Sequence, residues 1–291
     1  MWREFNDKAK LPSVLEPFRE RLTATVKPCA KVQTRLCKDA TIWQSKFLGR
    51  PYWPKFDSFP KTSQGDYLYL LAQINFSDVP TLTGFPTKGI LQFYLFNTDM
   101  YGLDFENPTC QDGFRVVYHA EPEMDESKLL EDFSFMASPW QEDDEWMPFI
   151  VSSKHLDKSD CCLALAFQRG EMLMSPQDYL HEATVGCDFF ALVGAEGNAL
   201  TKSQCQRELE SYYQTFTGHH LGGYPAFAQT DPRSRMEQRE EPYILLLQID
   251  SDYNRGIEIM WGDSGVCNFF IKQSALERLD FSDVLYNWDC C

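Results

Sequence analysis

No apolar run in this 291-residue chain approaches the ~20 residues that a membrane-spanning helix needs, so no membrane association is expected. The opening segment, MWREFNDKAK, is charged and lacks an apolar h-region; it does not read as a signal peptide, and a cytoplasmic location is expected. Ten cysteines are present, but neither C-x-x-C nor a paired Cys and His spacing of the zinc kind occurs, so no metal site is expected. The adjacent pairs Cys161-Cys162 and Cys290-Cys291 read as plain thiols, because a disulfide between neighbours is strained. Walker A, G-x-G-x-x-G, H-E-x-x-H and G-x-S-x-G words are all missing, which argues against the common nucleotide- and metal-dependent enzymes and gives no cofactor to expect. Positive charge is scarce, with 27 Lys and Arg against 43 Asp and Glu for a net of −16. A chain so short of cations has little with which to displace counterions from phosphates, so a nucleic-acid partner is not expected.

What is present is a β-rich globular sequence with 43% hydrophobic and 14% aromatic residues, a composition that suits packed sheets. Its charge is uneven. Residues 1–50 hold eleven Lys and Arg against five Asp and Glu, so the rest of the chain carries −22. Residues 121–145 hold ten acidic residues and one lysine. That run is either a solvated face or a surface that steers a basic protein partner toward Trp140 and Trp146. Ser13-Val14-Leu15-Glu16 has the form of a capping box, with a helix running on toward Pro28. Ala30 to Leu36 alternates as a half-buried strand. Tyr67–Phe76, Gly89–Phe96, Phe114–His119, Cys161–Gln168, Tyr243–Asp250, Ile257–Trp261 and Val266–Ile271 read as further strands. Short helices are expected near Ser127–Phe135, after Ser175-Pro176, over Lys202–Phe216 and from Ser274.

Two windows of the chain match in order. Leu48-Gly49 with Pro51 and Trp53 faces Leu221-Gly222 with Pro225 and Phe227, which sets Gly49-Arg50 against Gly222-Gly223. Leu70–Asn75 faces Leu245–Asp250, and Gly89 with Phe93-Tyr94 faces Gly265 with Phe269-Phe270. The match predicts an α+β fold of two related β-rich halves from an internal duplication, with short peripheral helices. The expected divisions are an N-terminal helix and strand (1–44), a first repeat (45–120), an acidic and helical connection (121–217) and a second repeat (218–291), all in one unit. The words SKFLGRPYWP, LLAQINF, GHHLGGYPAFAQTDPR, LLLQIDSD, MWGDSGVCNFFI and FSDVLYNWDCC resemble the YwqG-like family, a domain family of unknown function. That resemblance implies duplicated β-rich halves and brings no catalytic residue.

Candidate site residues follow from local chemistry. Gln73 and Gln248 interrupt apolar strands at matching positions, either as structural amides or as polar groups facing a cleft between the halves. His219-His220 stands beside Leu221-Gly222-Gly223, where a ligand can approach the backbone closely. Trp261 and Asp263 are further candidates for a pocket. Gly262-Asp263-Ser264-Gly265 matches the tetrapeptide around a serine-protease nucleophile, but without its histidine context it reads as a hairpin turn. Asp250, Asp252 and Asn254 alternate like the start of a calcium loop. Arg255 stands where an EF-hand needs Gly and Trp261 where it needs Glu, which leaves an Asx-rich turn or a weak cation site. The function these readings favour is a binding or interaction protein that engages a basic partner. The alternative is a hydrolase of unrecognised type with its cleft between the halves.

Overall fold

The computed structural model describes residues 11–38, 40–136, 146–151, 162–188, 191, 202–236, 241–253 and 257–291. Two long strands, β1 (Lys27–Cys37) and β7 (Cys162–Met172), pair antiparallel along their whole length, from Lys27 opposite Met172 to Cys37 opposite Cys162. On the β7 side the sheet continues through β2 (Lys46–Phe47), β3 (Tyr69–Asn75), β4 (Ile90–Leu95) and β5 (Phe114–His119). On the β1 side it continues through β8 (His219–Gly222), β9 (Tyr243–Asp250), β12 (Val266–Lys272) and β13 (Val284–Asp289). These form one ten-stranded sheet. A separate small sheet joins β10 (Asp252–Tyr253), β11 (Ile257–Ile259) and β6 (Phe149–Val151). The protein is therefore predominantly β, with a few short helices.

The strand sequences explain how this sheet buries both faces. In β3 and β4, Ala72, Ile74, Leu91 and Phe93 enter the main core, while Leu70 and Tyr94 point the other way into a cluster with Trp53 and Phe59. In β9 and β12, Leu247, Ile249, Cys267 and Phe269 enter the same main core, while Leu245 and Phe270 pack with Phe227 on the outer face. Each pair carries an irregularity in register, between Leu70 and Ala72 and between Leu245 and Leu247. A β-bulge lets two consecutive residues share one face. Leu71-Ala72 and Leu246-Leu247 thus both point inward, and the following glutamine points outward. The sheet curls until its ends approach one another. Phe93 and Phe269 lie 4.8 Å apart between ring centroids, and Phe114 and Tyr286 lie 5.1 Å apart. The chain between β4 and β5 ties the ends together: Tyr286 N–H donates to Pro108 O at 2.9 Å, and Trp288 Nε1–H donates to Met100 O at 2.8 Å. Ile257, Ile259 and Phe149 of the small sheet belong to this same core.

The helices gather elsewhere. Leu209 and Tyr212 of the helix Lys202–Tyr213 pack with Val14, Leu22 and Val185 over Cys29 and Met172 at one end of the central pair. Ser13 does not cap a helix. Its N–H and Oγ both bond the Glu208 carboxylate at 2.7 Å, a 3-10 helix runs over Ser13–Phe18, and the α-helix Arg19–Thr23 stops before Pro28, which lies inside β1. The helix expected at Ser127–Phe135 is a single 3-10 turn, Glu126–Lys128, because Leu129 leaves it to bridge to Pro54. After Ser175-Pro176 the chain makes a turn, and the helix begins only at His181. Gly262–Gly265 is a turn but not a hairpin: β11 pairs within the small sheet and β12 within the large one, so the turn hands the chain from one sheet to the other. No helix among the described residues is long and apolar enough to cross a membrane.

Candidate functional site

The outer face of the sheet carries a row of polar side chains in an otherwise apolar surface. Lys46 on β2 lies opposite Gln73 on β3, which lies opposite Gln92 on β4. Gln73 Oε1 accepts from Tyr52 N–H at 2.8 Å and from Gln92 Nε2 at 2.9 Å, and Gln73 Nε2 donates to the carbonyls of Ile42 and Gln44 at 2.8 and 3.0 Å. Every hydrogen-bonding position of that amide is occupied. Gln92 also donates to Tyr52 O at 2.7 Å, and its Oε1 lies 2.9 Å from His119 Nε2. On the other side of the central pair, Gln248 Oε1 accepts from Ala226 N–H at 2.7 Å and its Nε2 donates to the carbonyls of Phe216 and Gly218, both at 2.8 Å. Asn268, opposite Gln248, donates to Ala226 O at 2.9 Å. The two amides thus tie loops to strands, and neither faces an open cleft. The preceding turns agree as well: Leu48 and Gly49 have φ of 59° and 78°, and Gly222 and Gly223 have 66° and 73°. The backbone therefore sets Leu48-Gly49 against Gly222-Gly223, one residue off the sequence match, and Arg50 has no glycine counterpart to explain.

The histidine candidates sit apart from one another in role. His220 is fully buried opposite Gln248, with Nδ1 2.9 Å from Gly222 O and Nε2 3.4 Å from Phe216 O. Burial outweighs those carbonyls and lowers its pKa to about 4, so it is neutral at ordinary pH. His219 Nδ1 accepts from Asp250 N–H at 3.0 Å, which puts the ring proton on Nε2, 3.5 Å from Asp252 Oδ2. Asp250 receives Gly218 N–H at 2.6 Å, and burial pushes its carboxyl pKa up. Asp252 also accepts from Thr34 Oγ1 at 3.3 Å. Asp250 and Asp252 are therefore engaged within the sheets, and Asn254 lies outside the described residues. Among the described residues no group of three or more His, Cys, Asp or Glu side chains is placed to hold a metal ion. Trp261 is completely buried, edge-on to Tyr101, whereas Asp263 is exposed on its turn. Asp231 is held by Arg233, which also reaches Asp178 at 2.9 Å in a buried triad. None of these groups borders the cavity described next.

The pocket lies at the other end of the polar row, at Lys46. A cavity of about 660 Å³ opens where β2 meets β7, beneath the chain from Glu126 to Phe133. Lys38, Lys46 and Arg50 supply its positive charge, Glu126 and Glu131 its negative charge, and Ile42, Leu129 and Phe133 an apolar wall. Lys46 is 2% exposed. Its Nζ donates to Thr41 O at 3.1 Å and to Ile42 O at 3.4 Å, and burial lowers its pKa to about 8. Sequence reasoning missed Lys46 because β2 is two residues long, too short for any periodicity to mark an inward-facing lysine. The one available signal is its place beside the Leu48-Gly49 turn, opposite a strand that carries Gln73.

A large curled β-sheet with few short helices, and a cavity lined by basic, acidic and apolar side chains, defines a predominantly β protein. A family model described as a domain of unknown function, DUF1963, matches residues 45–290, and the chain belongs to that family. A search of curated proteins finds no match.

Proposed function

We propose that this is a binding protein whose ligand occupies the cavity at Lys46. The observation that carries the reading is the convergence of a buried lysine, two rim cations and an apolar wall on one cavity of about 660 Å³, a size within the range of small-molecule sites. The hydrolase alternative has the His219 and Asp252 pair in its favour, but His219 is 6% exposed and does not border that cavity. Ligand-observed NMR with a fragment library tests the proposal. Hits should bind the native chain and be lost in Ala40→Trp, which sets a large side chain in the cavity lining; hits indifferent to that block would overturn it.

The acidic chain supports a second interaction, with a basic protein, through its charge of −22 beyond residue 50. Within residues 121–136, Glu121, Glu123 and Glu131 already pair with Lys88, Lys128 and Lys55. Steering would then fall to Glu142, Asp143, Asp144 and Glu145, which, with Trp140, lie outside the described residues. If so, the association rate with a basic partner falls as salt rises and falls again when those four become amides; a rate indifferent to both removes the idea.

We also read the fold as a duplication, with the YwqG-like resemblance and DUF1963 as one family. The matched amide networks and left-handed turns support it. Gln73→Leu and Gln248→Leu should destabilise the fold by similar amounts, and across relatives the two windows should stay alike; windows that diverge with deeper sampling would count against common origin. The cysteines with described positions are free thiols, which fits a cytoplasmic setting. Thiol titration of protein isolated without reductant should find all ten, and disulfides would place it elsewhere.

A further inference from the structure

We infer that the ligand of this cavity is an amphiphilic anion, a carboxylate or phosphate on an apolar body, with its charged group on Lys46. The inference rests on the pocket reading above and adds the ligand's chemistry. An ammonium has three N–H donors. Among the described residues those of Lys46 meet two carbonyl oxygens, of Thr41 and Ile42, and no carboxylate within ion-pair distance. A buried charge without a counter-ion is unfavourable unless a partner arrives. The neighbouring elements do not supply one. From β3 it faces the Gln73 amide, from β7 Ala164 and the Cys162 thiol, and from β1 the Cys37 thiol. Around the cavity stand Lys38 and Arg50 with Glu126 and Glu131, and Glu131 is already paired with Lys55 at 3.3 Å. Three basic side chains thus line the cavity beside two acidic ones. The apolar wall of Ile42, Leu129, Leu130 and Phe133 gives an aliphatic or aromatic body a surface to cover.

The same position on the other side of the central pair makes the point by contrast. His220, opposite Gln248, is neutral and held against two carbonyls, and no charge awaits a partner there. At Lys46 burial lowers the amine to about 8, and a bound anion, by favouring the charged form, moves that titration upward. Binding then takes up a proton and weakens as the amine deprotonates.

Calorimetry on the full chain with octanoate, hexyl phosphate and octanamide tests this, alongside NMR titration of the Lys46 ε-methylene. One of the two anions should bind at least about tenfold tighter than the neutral amide, and which one it is assigns the head group. Its affinity should fall by about tenfold per pH unit above pH 8, and the Lys46 titration should move upward when it is bound. Lys46→Met should lose at least about tenfold in anion affinity and flatten the pH dependence. If that variant does not fold, the Lys46 titration in the native chain decides alone. Amide and anions bound equally, or a Lys46 titration unmoved by bound anion, would refute the anion and leave the pocket standing. No binding by any of the three, together with no fragment hits at the cavity, would sink both readings.

Discussion

At the scale of single residues, the outer face is governed by how buried polar groups find partners. Gln73 and Gln248 tie the chain on both sides of β2 and β8 to the sheet, because each amide donates to two carbonyls ahead of the strand and accepts an N–H from the loop behind it, in place of water. His220 belongs to the same layer, and its pH response follows from its burial. Its folded-state pKa of about 4 lies below the ~6.5 expected of an unfolded chain. Between those values the unfolded chain binds a proton that the folded one does not. Stability therefore rises with pH across that window and is lost as pH falls through it, by about 3 kcal/mol from this one group. In an NMR titration the His220 Cε1–H signal should stay fixed until below about pH 5, and denaturation should become easier over the same range. A His220 signal moving near pH 6.5 would mean that the ring is solvated.

At the scale of elements, short strands are placed by the turns that follow them. β2 and β8 have two and four residues, too few to hold position by their own ladders. Two left-handed residues, Leu48-Gly49 after β2 and Gly222-Gly223 at the end of β8, turn the chain at each. At Gly223 the constraint is both conformational and steric: φ is 73°, and a Cβ there would sit 2.7 Å from Met172 Sδ and 3.1 Å from Cys29 Cβ. Gly223→Ala should cost about 1–2 kcal/mol from backbone conformation alone, with a further penalty as Met172 shifts. Urea denaturation measures it, and a loss below a few tenths of a kcal/mol would show that the turn yields. The buried triad Asp178, Arg233 and Asp231 does similar work for the segment after β7, holding it to the turn before β9. Removing the cation with Arg233→Met should cost about 3–5 kcal/mol, since two buried carboxylates would be left without it.

At the scale of the whole molecule, the curl of the sheet creates one core from strands far apart in sequence. Phe269 stands where the two ends meet, stacked on Tyr286 at 4.8 Å and against Phe93 at the same distance. Phe269→Ala should cost about 3–5 kcal/mol in denaturant unfolding. It should also raise hydrogen exchange in β4 and β12 together, because the cavity borders both. Exchange rising in β12 alone would mean that the ends of the sheet are not mechanically joined. The acidic stretch belongs to this scale as well: Glu121 and Glu131 pair with Lys88 and Lys55, which lie outside it in sequence, so charge counted along the stretch overstates charge presented to a partner.

The strands with long apolar runs were legible from the residues alone. YLYLLAQINF and GILQFYLF have no alternative way to bury so many side chains, and the matched windows marked Gln73 and Gln248 before any fold was known. Local pattern failed where a contact from far along the chain overrode it. Glu208 took Ser13 from its expected cap, and Pro54 drew Leu129 out of its expected helix. The turn at Gly262–Gly265 was visible, but whether its flanking strands pair depends on partners in two different sheets. The cavity at Lys46 was invisible for the same reason. Its walls come from β2 and the chain on either side of it, from the start of β7 and from the chain after Asp125. A lysine's burial, and its lack of a counter-ion among the described residues, are properties of what surrounds it in space, which only the tertiary structure decides.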